Sequence, residues 1–111
     1  GYNVITMDEF RHKGLTEVIQ ESLEKLGDNP IYITFDLDSL DSSIAPAVSN
    51  IEPSFTGFTM EEAKSLIQSI KNKNVIGGDV VCLMPTKDSP NNITAMVAAS
   101  MMFEIISVIA Y

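Results

Sequence analysis

Cysteine is nearly absent from this sequence: Cys82 stands alone. No internal disulfide can form, which excludes a disulfide-stapled secreted scaffold and points to a reducing, cytoplasmic setting. Histidine is as scarce, and the single His12 lies in a polar stretch ahead of the first helical pattern, where it reads as a surface residue rather than a ligand. Basic residues are few as well, 7 Lys and Arg against 15 Asp and Glu, giving a formal net charge of -8. A field of that sign repels phosphate backbones and anionic headgroups, so neither nucleic acid nor a membrane surface is expected as a partner. The basic segment and apolar core of a signal peptide are also missing from the opening residues Gly1, Tyr2, Asn3 and Val4. One stretch, 93–111, approaches the length of a membrane span, but Glu104 and the hydroxyls of Ser100 and Ser107 interrupt it. A carboxylate near the middle of a span costs about 2.5–3.5 kcal/mol, so the stretch is expected to be a buried helix of a soluble domain.

What is present is ordinary globular material. The 111 residues, 45% of them hydrophobic, suffice for at most one small domain. Val4, Ile5, Thr6 and Met7 form a short β-branched run that predicts a strand, and the polar residues 8–14 predict a loop after it. Leu15, Val18, Ile19, Leu23 and Leu26 then fall at helical spacing, with charged residues between them, until Gly27 and Pro30 stop the pattern. The apolar run from Ile31 to Phe35 predicts a strand covered on both faces. Residues 36–58 show no sustained period and include Pro46 and Pro53; a loop that long inside a compact domain is usually functional. Thr59 followed by Glu62 has the spacing of a capping box, and Ala63, Leu66, Ile67 and Ile70 supply the buried stripe of a second helix. Asn72, Lys73 and Asn74 end that helix. Residues 75–81 predict a third strand, in which Gly77 and Gly78 signal the close approach of a backbone or ligand. A turn cluster at 88–92 precedes the last helix. Strands alternating with helices imply right-handed crossovers and a parallel sheet covered by helices. Three such strands without a closing edge make a small sheet, so the chain reads as part of a larger α/β domain.

In a parallel sheet the functional residues gather at the carboxyl ends of the strands. One such end reads Phe35, Asp36, Leu37, Asp38, Ser39, Leu40, Asp41. In extended backbone, residues two apart share a side, which would set Asp36 and Asp38 next to each other. Two like charges that close repel unless a cation sits between them, and hard divalent ions such as Mn²⁺ or Mg²⁺ suit carboxylates better than thiols do. Asp41 reads as a turn-forming side chain. Met96, Met101 and Met102 in the last helix read as core or subunit contacts.

The wider pattern resembles the ureohydrolases, the arginase and agmatinase family. The resemblance runs from Phe35-Asp36-Leu37-Asp38-Ser39-Leu40-Asp41 through Ala45-Pro46 and Gly57-Phe58-Thr59 to Gly78-Asp79-Val80-Val81, Pro85, Asp88 and Thr94-Ala95. It implies a three-layer α/β/α domain with a parallel sheet, of which residues 1–111 form the C-terminal part. It also implies two Mn²⁺ ions, with Asp36 and Asp38 as metal ligands, that activate a shared water to hydrolyse a small guanidino substrate to urea and an amine. The remaining family ligands, a His and an Asp-x-His-x-Asp segment, are not in this sequence. Two positions depart from the family pattern. Cys82 follows Val81 where the family usually has the Glu that receives the guanidinium, which makes Cys82 a candidate substrate-binding residue, although a lone cysteine is more often a buried apolar filler and can also be a redox-sensitive group; Ala47 stands where a glycine normally follows Ala-Pro. These departures keep open a non-catalytic, degenerate subunit of the same fold. A haloacid dehalogenase-type site, which also has Asp-x-Asp after an apolar strand, would want Gly-Thr where Ser39-Leu40 stand. The apolar last helix is expected to be either central to a larger core or covered by a neighbouring subunit, and a homo-oligomer is the expected assembly.

Overall fold

The computed structural model describes residues 1–52 and 55–111; Pro53 lies outside the described residues. The chain opens with a helix rather than a strand. Helix α1 (Met7–Lys13) is followed by α2 (Leu15–Leu26), strand β1 (Ile31–Asp36), α3 (Met60–Gln68), β2 (Val75–Val81) and α4 (Ile93–Ala110). The expected strand at Val4, Ile5, Thr6 and Met7 and the loop after it are therefore replaced by a helix start. The reason is local: Thr6 Oγ1 accepts the Glu9 N–H at 3.1 Å, Asp8 and Glu9 occupy the first turn, and Arg11, His12 and Lys13 the last. Charges in that order complement the helix dipole. Phe10 is buried on this helix, its ring edge-on to Phe58 at 5.1 Å between centroids. His12 is exposed, as expected of a surface residue.

The remaining helices follow the sequence pattern closely. Gly27 closes α2 with a positive φ of 55°, a backbone state that glycine adopts without steric cost. Thr59 and Glu62 exchange both hydrogen bonds of the capping box at the start of α3. The α4 N-terminus is served from a distance, because the Asp88 carboxylate accepts the Ser89, Thr94 and Ala95 N–H groups at 2.9–3.0 Å.

Among the described residues the sheet has two strands, not three. They run parallel and pair from Ile31↔Val75 to Asp36↔Val81 with one irregularity after Ile31. The expectation that β1 is covered on both faces fails as well. Ile31 and Phe35 are buried, whereas Tyr32 is 60% exposed and Thr34 is exposed. The covered face packs with α3 and α4 into one core containing Ile31, Phe35, Leu37, Ala63, Ile67, Val97, Met101 and Ile105. Gly78 explains the close approach: a Cβ there would lie 2.7 Å from Ile105 Cγ2, so α4, not a ligand, occupies that space. Helix α4 buries Thr94, Val97, Met101, Ile105 and Val108 at helical spacing and leaves Met96, Phe103 and Ile106 exposed. It is also long and apolar enough to cross a membrane by length and composition alone.

Candidate metal centre

The carboxyl end of β1 does not continue as extended chain. Residues Leu37–Ser39 form a single 3-10 turn, and Asp36 caps it, its Oδ1 accepting the Asp38 N–H at 3.1 Å. Ser39 Oγ donates to the Asp36 carbonyl at 2.7 Å. Asp36 and Asp38 are thus brought together by a turn that hydrogen-bonds their own backbone, and not by the alternation of a strand. Leu37 and Leu40, both fully buried, anchor the turn in the core, so the two acids are carried on a fixed base.

The long segment after this turn is irregular, as expected, yet it is held at defined points. Leu40 bridges to Phe58, and Val48 bridges to Leu83. Asp41 makes the expected turn, its Oδ1 accepting from Ser43 N at 3.0 Å and Ser43 Oγ at 2.6 Å. Arg11 ties α1 to the end of the segment, donating to the Gly57 carbonyl at 2.8 Å and pairing with Glu62. Ala47 is fully buried, donates its N–H to Thr94 Oγ1 at 3.2 Å and has no positive φ. Alanine therefore meets no backbone obstacle at this position.

Cys82 lies directly after β2, one residue beyond the partner of Asp36 in the sheet register. Its φ of 76° is unusual for a residue with a Cβ and turns the chain sharply. The Met84 N–H to Ala47 carbonyl hydrogen bond, at 2.9 Å, holds the segment that follows. The outcome is a cluster: carboxylate oxygens of Asp36 and Asp38 and the Cys82 Sγ all lie within 4.8 Å of one another, each residue half-buried. Filling the apolar core, one role open to a lone cysteine, is not what Cys82 does here.

Asp38 and Cys82 in the cluster titrate away from their ordinary values. Burial raises the Asp38 carboxyl above its ordinary range, and the hydrogen bond and charge of Asp36, with the charge of Glu52, add to the rise. A hydrogen bond to Asp36 raises the Cys82 thiol, as do burial and the charges of Asp36 and Asp38, while Ser49 opposes them. None of the ion pairs among the described residues involves Asp36 or Asp38. Glu52 and Ser49 were not singled out by sequence pattern, because loop residues carry no period; the acidic character of Glu52 within a long loop was the one available signal. Asp79, on the open sheet face, accepts from Tyr32 Oη at 3.0 Å and Thr34 Oγ1 at 2.6 Å.

Residues 1–107 match the Arginase family model. The chain belongs to the arginase family. It is similar to the mitochondrial agmatinase of Gallus gallus, with 34% identity over 98% of this chain and 31% of that protein. Guanidinopropionase of Pseudomonas aeruginosa is also 34% identical, over 99% of this chain and 34% of its own length. Among solved structures, proclavaminate amidino hydrolase from Streptomyces clavuligerus superposes with a TM-score of 0.91 at 28% identity, covering 99% of this chain and 36% of that one. Formimidoylglutamase from Bacillus subtilis superposes with a TM-score of 0.84 at 33% identity, over 96% of this chain and 33% of that one. The arginase-like α/β fold follows from these likenesses. The chain spans about a third of the length of the curated relatives it matches.

Proposed function

We propose that this chain is the C-terminal part of a Mn²⁺-dependent ureohydrolase that cleaves a small guanidino compound, agmatine-like or arginine-like, to urea and an amine. The observation that carries the reading is the convergence of Asp36 and Asp38 at the end of β1 in a chain of the arginase family. The donor set fits a divalent cation, since two carboxylates share one half-buried turn with no basic partner in the ion pairs described. When bound, a pair of ions supplies Lewis acidity and activates water near neutral pH. In this reading the 3-10 turn orients the two carboxylates, its buried leucines keep them in place, and Cys82 stands beside them where the family usually has the guanidinium-binding Glu. A neutral thiol cannot make the bidentate charge-assisted pair that a carboxylate makes with guanidinium. That substitution is the specific observation favouring a second reading, a non-catalytic subunit of the same fold. A cytoplasmic homo-oligomer without nucleic-acid or membrane partners completes the proposal; the lone cysteine and the net charge of -8 support it.

The test is metal content and urea release in the full protein. Asp36→Ala and Asp38→Ala should each lose about one metal equivalent and most activity, because the activated water depends on both ions. Unchanged metal content in both variants by elemental analysis would overturn the assignment. Metal retained by the unmodified protein without urea release from any guanidino compound would favour the non-catalytic reading.

A further inference from the structure

The donor atoms that meet at the end of β1 are not all oxygen. Cys82 Sγ lies within 4.8 Å of a carboxylate oxygen of Asp36 and of Asp38, which themselves lie within that distance of each other. Atoms that bind one ion at about 2.0–2.3 Å can be at most roughly 4.5 Å apart, so small side-chain rotations bring all three onto a common ion. The backbone brings the thiol there. The sheet register sets Cys82 just past the partner of Asp36, its positive φ turns the chain, and the Val48–Leu83 bridge with the Met84-to-Ala47 hydrogen bond ties down the following residues.

We propose that Cys82 is itself a metal ligand, so that the ion held with Asp36 and Asp38 sits in a mixed oxygen and sulfur set and this position selects Co²⁺ or Zn²⁺ over Mn²⁺. The inference rests on the reading that Asp36 and Asp38 bind metal, and goes beyond it by naming a third ligand and a changed ion preference. The chemical reason is ligand softness. Carboxylates alone suit Mn²⁺, Mg²⁺ and Ca²⁺, whereas a sulfur donor adds affinity for borderline ions that already stand above Mn²⁺ in the divalent series. On coordination the thiol proton passes to solvent as the sulfur–metal bond forms, with no change in oxidation state.

Cobalt substitution of the full protein tests this directly, because a sulfur ligand to Co²⁺ gives a near-ultraviolet charge-transfer band that oxygen ligands do not. The band is expected in the Co²⁺-loaded protein and should be lost in both Cys82→Ser and Cys82→Ala, each with its fold checked by circular dichroism and its cobalt content by elemental analysis. The two variants guard against one of them failing to fold. Bound cobalt without the band, or a band that survives both substitutions, would overturn the thiol ligand and leave the carboxylate site standing. No cobalt retained by the unmodified protein, with none of Mn²⁺ or Zn²⁺ retained either, would overturn the carboxylate reading and this inference together.

Discussion

Gly57 has no room for a methyl group. A Cβ there would lie 2.5 Å from the Asp41 backbone nitrogen and 2.6 Å from the Leu40 carbonyl carbon, and backbone cannot step aside as a side-chain tip can. Gly57→Ala should therefore break the Leu40–Phe58 bridge and destabilise the turn that carries Asp36 and Asp38. Its midpoint of denaturation is expected to fall further than that of Gly78→Ala, whose nearest obstacle is a side-chain methyl, Ile105 Cγ2 at 2.7 Å, with backbone no nearer than the Ile33 carbonyl oxygen at 3.0 Å. At Asp88 the prediction concerns pH. Burial pushes this carboxyl upward, but hydrogen bonds from Ala95, Thr94 and Ser89 outweigh it and hold the group below its usual range. A carboxylate with a lowered folded-state pKa stabilises the fold above the unfolded value, about 4, and loses that contribution as pH falls through the folded value. Asp88→Asn should lower the melting temperature at pH 7, and the difference from the unmodified chain should shrink in melts below about pH 4.

At the scale of elements, α3 and α4 reach stability by different routes. Helix α3 is short and depends on its N-terminus, where Thr59 and Glu62 satisfy two backbone N–H groups that the helix leaves unpaired. Thr59→Ala should cost about 1 kcal/mol in urea denaturation. Helix α4 depends on burial. Met101 is completely buried in the core, and truncation to alanine removes its transfer energy and leaves a cavity, at about 2–5 kcal/mol. Phe103, on the outer face and 68% exposed, should cost less than about 0.5 kcal/mol in the same assay on the 111-residue chain.

For the whole molecule, the open surfaces are the telling feature. The outer face of α4 shows Met96, Phe103, Ile106 and Ile109, while the free face of β1 shows Tyr32. Exposed apolar side chains grouped in this way favour contact with further apolar surface. The isolated 111-residue chain should therefore bind an apolar dye or self-associate; a two-state monomer with no dye binding would refute this. The same chain should show no micromolar Mn²⁺ affinity by calorimetry, because two carboxylates and a thiol that suits Mn²⁺ poorly leave most coordination positions to water.

Local signals were decisive wherever one segment settles its own conformation. The stripe from Leu15 to Leu26, the Thr59–Glu62 box and the apolar run of α4 each encode their element in spacing and capping, and Phe35-Asp36-Leu37-Asp38 carried the family and the two candidate ligands. The first residues were misread because β-branched side chains favour a strand only where another strand pairs with them, and Thr6 instead found the Glu9 N–H. Proximity across the chain was the part that no pattern could supply. Cys82 lies 44 residues after Asp38, and only the parallel register of β1 with β2 and the sharp turn at Cys82 bring its sulfur beside the two carboxylates. Spacing along a sequence specifies directions about a local axis. Distance between two segments is set by the core that both are pressed against, here by α4 meeting β2 at Gly78 and Ile105.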